Sequence, residues 1–113
     1  MPCLEEKDQM DRVALLTRIR KSLEDAFGQR LKGIVLYGSE ARGEATPESD
    51  IDLLVLLAGP IALGQDLRTI IHVLYPLQLE MDRIIEAFPV DEADYLRGEY
   101  ALYRNALREG IRL

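Results

Sequence analysis

The sequence predicts an α/β (α+β) fold, a small mixed β-sheet with helices packed on it, and three observations carry that prediction. Stretches with strand-like and helix-like periodicity alternate along the chain. Glycine or proline punctuates nearly every boundary between them. One run, Ile51 to Leu57, is too continuously apolar for a half-exposed strand and reads as a central one.

The elements follow in order. From about Asp8 to Phe27, Val13, Leu16, Leu23 and Phe27 recur at helical spacing with Leu15 and Ile19 beside them, and Gly28 stands where a C-terminal cap belongs. Early acids and the later Arg18, Arg20 and Lys21 suit the helix dipole. Leu31 to Tyr37 reads as a first strand, with Tyr37 in the core. Ser39 to Gly43 reads as a short helix and Glu44 to Ser49, with Pro47, as a loop. Gly59-Pro60 ends the central strand. Leu67, Ile70, Ile71 and Leu74 mark a second amphipathic helix from about Leu63, closed by Pro76. Leu77, Leu79 and Met81 then alternate with Gln78, Glu80 and Asp82, which predicts a third strand running to about Ile85, and Pro89 breaks that pattern. The remainder reads as helical, a turn over Asp91 to Arg97 and a helix over Glu99 to Arg108 stopped by Gly110.

At 113 residues, the chain is expected to be a single domain spanning residues 1–113, with 48% hydrophobic and 30% charged residues, ordinary for a soluble globular protein. No apolar run approaches the ~20 residues that span a bilayer, and the N-terminus is acidic where a signal peptide is basic. The lone Cys3 fits a reducing cytoplasm, and one cysteine with one histidine is too few for a zinc site. A net charge of −6 argues against nucleic acid held on an extended basic surface, but is compatible with a nucleotide as substrate.

The chemistry concentrates between Gly33 and Leu57. Asp50 and Asp52 are separated by one residue at the start of a strand, so both carboxylates point to one side while Ile51 faces the core. Just upstream, Gly38-Ser39 forms a small-residue turn that lets backbone N–H groups approach a phosphate. Gly38 gives close access, Ser39 offers hydroxyl and N–H donors, and Arg42, one helical turn on, can reach a phosphate or steady a carboxylate. Hard oxygen ligands in a pair fit Mg²⁺, with two ions as the usual arrangement for phosphoryl chemistry. The turn lacks the Gly-Lys-Ser/Thr ending of a P-loop. His72 reads as a surface or half-buried residue of its helix. Arg97, Arg104, Arg108 and Arg112 would line one helical face if the C-terminal segment were continuous.

Gly38-Ser39-x-x-Arg42-Gly43 followed by Ser49-Asp50-Ile51-Asp52-Leu53 resembles the core motif of nucleotidyltransferases of the DNA polymerase beta superfamily. More narrowly, the chain is similar to the minimal nucleotidyltransferases, antitoxin-like partners of HEPN-domain toxins, including the ending Tyr103-Arg104-Asn105 and Arg108-Glu109-Gly110. The resemblance implies a polymerase-beta-type fold and nucleotide-binding roles for Gly38, Ser39 and Arg42. It also implies a third metal-binding, catalytic carboxylate on a neighbouring strand. Asp82 and Glu80 compete for that place. Asp82 fits the apolar-Asp-apolar pattern better, although Arg83 stands where an aliphatic residue is usual, so the expected catalytic and metal set is Asp50, Asp52 and Asp82.

The function so implied is transfer of a nucleoside monophosphate, AMP from ATP, to a hydroxyl of an HEPN-type toxin. Larger relatives carry an acceptor-binding domain for which this length leaves no room, so the acceptor surface would come from a partner or a second copy. Two readings compete: an antitoxin that neutralises its partner by binding alone, and transfer to a small aminoglycoside-like molecule.

Overall fold

A computed structural model describes residues 12–46 and 48–113. Helix α1, Arg12–Phe27, leads through a 3-10 turn at Gly28–Arg30 into strand β1, Leu31–Tyr37. A four-residue helix, α2, Ser39–Arg42, precedes β2, Ile51–Leu57. Helix α3, Leu63–Gln78, crosses over to β3, Ile85–Asp91, and the chain closes with α4, Glu92–Leu96, α5, Ala101–Glu109, and the two-residue β4, Ile111–Arg112.

The sheet order is β3-β2-β1-β4, and it is mixed as the sequence predicts. β2 runs antiparallel to β1 and parallel to β3, while β4 adds antiparallel to the far side of β1. β2 sits centrally and is buried on both faces. Ile51, Leu53, Val55 and Leu57 join Ile34 and Leu36 beneath α1 and α3, whose Leu15, Ile19, Leu23, Ile70, Leu74 and Leu77 complete that core. Leu54 and Leu56 face the other way and pack with Val35, Val90, Tyr95 and Ala106 under α4 and α5.

Several elements differ from their sequence expectation. Residues 8–11 of the expected first helix lie outside the described residues, as do Cys3 and Pro47. Within α1, Leu15 and Ile19 are buried while Val13 is exposed, because the seam runs through 15, 19, 23 and 27. Helix α3 continues past Pro76 to Gln78. Pro76 is exposed near the helix end, where water can meet the carbonyl its ring leaves unbonded, and Leu77 still points into the core. The expected strand over Leu77 to Ile85 is therefore helix end, turn and bend, and the true strand begins where it was expected to finish. Pro89 lies inside β3, tolerated because β3 is an edge strand. The four C-terminal arginines share no helical face, since they fall on α5, β4 and the turn after α4. Each has its own acceptor: Arg97 pairs with Asp94, Arg104 donates to the Gly98 carbonyl, Arg108 to Asn105 and Arg112 to Glu92. Among the described residues, no helix is long and apolar enough to cross a membrane.

One ion pair braces the start of α3. Asp66 is 4% exposed and takes two hydrogen bonds of 3.0 Å from the Arg30 guanidinium and one of 3.1 Å from the Ala62 N–H. Arg30, chiefly through these bonds, holds the Asp66 carboxyl below its ordinary pKa. A lowered folded-state pKa means this stabilisation is complete above the ordinary carboxylate range and is lost as pH falls through the lowered value. Asp66→Asn should cost about 1.5–3 kcal/mol at pH 7, the range for hydrogen bonds to a charged group. Urea melts across pH should show the gap from wild type narrowing on acidification.

Candidate active site

Asp52 stands at the second position of β2, with Tyr37 of β1 on one side and Glu86 of β3 on the other as cross-strand partners. Side chains in register point to the same face of a sheet, so phenol and two carboxylates form one row. Asp50 lies just ahead of β2 and adds its charge to the row. The Ile51 N–H donates to the Ile84 carbonyl at 2.8 Å, which fixes the entry of β2 against the entry of β3.

The electrostatics report this crowding. Partial desolvation and then the charges of Asp50 and Asp52 hold the Glu86 carboxyl above its usual pKa. The Tyr37 phenol is pushed up to about 12, by burial first and then by Asp52 and Glu86, so it is neutral at physiological pH. The two arginines on the flanking segments are engaged elsewhere. Arg42 donates from Nε to Glu44 at 2.5 Å and lies 4.0 Å from Glu109, and Arg83 is bonded to Glu40.

Gly38 closes the site from the other side. Its φ of 73° and ψ of −153° belong to a region that is essentially glycine's alone. A Cβ there would lie 2.6 Å from Asp52 Oδ2. The turn is thus pressed against the carboxylate row, and α2 starts directly after it with Ser39. Backbone N–H groups at the beginning of a helix, here those of Ser39 and Glu40, lack intrahelical partners. The loop into Asp50 is held by Thr46 and Ser49: the Thr46 N–H donates to Ser49 Oγ at 2.9 Å, and the Ser49 N–H to the Thr46 carbonyl at 3.0 Å.

Among the expected site residues, the structure brings Gly38, Ser39, Asp50 and Asp52 together. Arg42 is one turn away, with its guanidinium directed to glutamates. Asp82 lies in the exposed bend before β3, off the sheet, because α3 occupies the residues expected to be strand. Glu80 is turned to the helical layer, where Arg18 grips both its oxygens at 3.0 and 2.7 Å. The carboxylate beside Asp52 is instead Glu86, which the sequence reading passed over. A signal for it existed: Ile85-Glu86-Ala87 is an apolar-acid-apolar triplet, whereas Met81-Asp82-Arg83 is not. Tyr37, expected in the core, packs half-buried against the second core and also stands in register with Asp52.

The residues fit a divalent cation. Three carboxylates repel one another at one sheet end, and their oxygens are the hard donors Mg²⁺ prefers. Among the described residues, no group of three acidic, histidine or cysteine side chains is arranged to hold a metal ion. Any Mg²⁺ held here would rest on one or two of these carboxylates, with water and substrate phosphate completing its shell.

Because the folded-state pKa of Glu86 is raised, its charge costs stability above that value, and the cost disappears as the group protonates. Glu86→Gln should therefore melt above wild type near pH 7 in metal-free buffer, with the difference closing as pH falls. Thermal melts with chelator present at several pH values check this.

Residues 16–103 match a family model described as a nucleotidyltransferase domain. The chain is 33% identical over 90 residues to the Methanocaldococcus jannaschii protein called "Putative protein adenylyltransferase MJ0604", covering 79% of this chain and 84% of that one. It is similar to a solved chain from a toxin-antitoxin crystal structure with AMP-PNP, with a TM-score of 0.62 at 24% identity over 85% of this chain and 69% of that one. The fold also matches a chain from the crystal structure of a mutant of the toxin-antitoxin MntA-HpeT, with a TM-score of 0.60 at 25% identity, covering 87% and 70%. The glycine turn, the aspartate pair and these matches together make the chain a nucleotidyltransferase, a member of the nucleotidyltransferase domain family and, within it, of the minimal type its sequence resembles.

Proposed function

We propose that this protein transfers AMP from ATP to a hydroxyl of a partner protein, an HEPN-type toxin, in a Mg²⁺-dependent reaction, and so acts as an antitoxin. The observation that carries the proposal is the row of Asp52 and Glu86, joined by Asp50 and pressed against the Gly38 turn. Support for the acceptor and partner comes from relatives named as protein adenylyltransferase and toxin-antitoxin, and support for the nucleotide from the AMP-PNP neighbour. In this reading the chain is a single domain whose acceptor surface is the partner's.

The catalytic and metal set in the proposal is Asp50, Asp52 and Glu86, with Glu86 taking the place expected for Asp82. Mg²⁺ bound by these carboxylates would neutralise charge on the attacking and leaving oxygens. The protein's own work is placement. Gly38, lacking a side chain, lets the triphosphate approach the turn. Ser39 donates to a phosphate oxygen through its hydroxyl and N–H. Arg42, once exchanged from Glu44 and Glu109, is a bidentate donor for the same phosphates. The acceptor oxygen bonds to the α-phosphorus, the α–β bridge breaks, pyrophosphate leaves, and the hydroxyl proton passes to the carboxylate cluster.

A second reading, neutralisation by binding alone, is favoured by one observation. Helix α3 exposes Leu63, Ile71 and Tyr75, with Leu79 following, along its outer side. An apolar stripe of that kind suits a protein partner.

The test uses ATP labelled on the α-phosphate, Mg²⁺ and the product of a neighbouring gene. Label should move to the partner. Asp50→Asn, Asp52→Asn and Glu86→Gln should each reduce it more than ~100-fold, beyond the losses typical of residues outside the metal's own ligands. Asp82→Asn should stay within about twofold of wild type, as an exposed substitution does. A tight complex that takes no label would favour neutralisation by binding.

A further inference from the structure

We propose that Arg83 is a positioning residue, a single guanidinium that sets the spacing between the three segments bearing Gly38-Ser39, Asp50 and Glu86. The inference rests on the nucleotidyl-transfer reading of that site.

Arg83 Nε donates to the Ser49 carbonyl at 2.7 Å, and Ser49 is the residue before Asp50. Its second arm donates from an Nη to Glu40 Oε1 at 2.5 Å, and Glu40 follows Ser39 in α2. The pair is largely enclosed, with the Arg83 and Glu40 side chains 20% and 14% exposed. Arg12 approaches the other Glu40 oxygen at 3.7 Å, giving that carboxylate a second cation.

The arginine is itself anchored. Gln78, the last residue of α3, donates from Nε2 to the Arg83 carbonyl and accepts the Ile85 N–H on Oε1, both at 2.8 Å. One amide side chain thus pins residues 83 to 85 to a helix whose Leu74 and Leu77 are in the core. From this fixed base, Arg83 reaches back to the loop and the turn, while Glu86 follows it on β3.

Only arginine can make this set of bonds. Its fork carries donors on separate nitrogens in a rigid plane, so the Ser49 and Glu40 acceptors are held at a set separation. A lysine ammonium could keep the charge opposite Glu40 without spanning both acceptors, and an aliphatic residue would serve neither. Without the fork, the loop into Asp50 retains its own Thr46–Ser49 bonds and the Ile51–Ile84 bond that follows it, but Ser49 loses its tie to Arg83 and, through it, to α2. Strand register sets Asp52 against Glu86, and the placement of Asp50 and of the Gly38 turn relative to that pair depends on a side chain that touches neither carboxylate.

Wild type, Arg83→Met and Arg83→Lys should be compared for Mn²⁺ binding by calorimetry at saturating α,β-methylene ATP, whose α–β bridge transfer cannot cleave. Melting temperatures and the kcat and KM of label transfer are measured alongside. Arg83→Met should weaken Mn²⁺ binding on the order of tenfold and lower kcat similarly, with little change in KM. Arg83→Lys should recover melting temperature without recovering Mn²⁺ affinity. If folded Arg83→Met binds Mn²⁺ within about twofold of wild type with kcat unchanged, the residue is merely structural and the inference is overturned. Should Arg83→Met not fold, wild-type Mn²⁺ affinity and kcat in Arg83→Lys overturn it equally. Failure of wild type itself to bind Mn²⁺ with the analogue and to transfer label would instead remove the functional reading beneath it.

Discussion

Like-charge repulsion at one end of the sheet is the constraint to which the rest of this structure answers. Partial desolvation and the charges of Asp50 and Asp52 disfavour the Glu86 anion, and a loose chain would separate the three. They stay together because β2 cannot move. Leu53 through Leu57 are fully buried, with alternate residues committed to opposite cores. A slip of one residue would turn Asp52 into the core beneath α1 and α3 and bring Ile51 to the surface. Two hydrophobic cores thus defend the register, and the register fixes the carboxylate row.

The distribution of positive charge preserves the row's character. Arginine occurs on both sides of it, yet Arg42 is occupied by Glu44 and Glu109, and Arg83 by Glu40 and the Ser49 carbonyl. Had either guanidinium paired with Asp52, it would have offset one of the three carboxylates and weakened the row's attraction for a cation. Matching each arginine to a separate glutamate keeps the sheet end net negative. It also leaves Arg42 in an exposed pair, which is cheap to exchange for a phosphate. The neutral Tyr37 phenol completes this pattern, since an ionised phenolate would add to the repulsion.

How much of this was legible in the sequence depended on the range of the deciding interaction. The central strand, the glycine turn and the Asp50–Asp52 pair were readable because continuous apolarity, a glycine-only turn and period-two alternation are local signals. The C-terminal end of α1 and the limits of β1 and β2 followed for the same reason. The buried seam of α1 was misread by part of a turn, since Val13 and Leu16 are as apolar as Leu15 and Ile19, and only the position of α3 decides between them. Arg42's partners, Glu44 and Glu109, were beyond reach because one of them is distant in sequence.

The carboxylate that the fold sets beside Asp52 turns on where α3 ends. Asp82 and Glu86 are both even-numbered, so a strand through this region would send both to one face. What was missing was where the helix ends. Leu77, Leu79 and Met81 alternate like a strand, but the helical spacing of Ile70 and Leu74 also continues through Leu77, and two periods overlap over so few residues. The tie is broken by tertiary structure: Leu77 buries itself under the sheet, and Gln78 commits its side chain to the backbone at Arg83 and Ile85. Those bonds delay the strand until Ile85, and the delay is what puts Glu86 opposite Asp52.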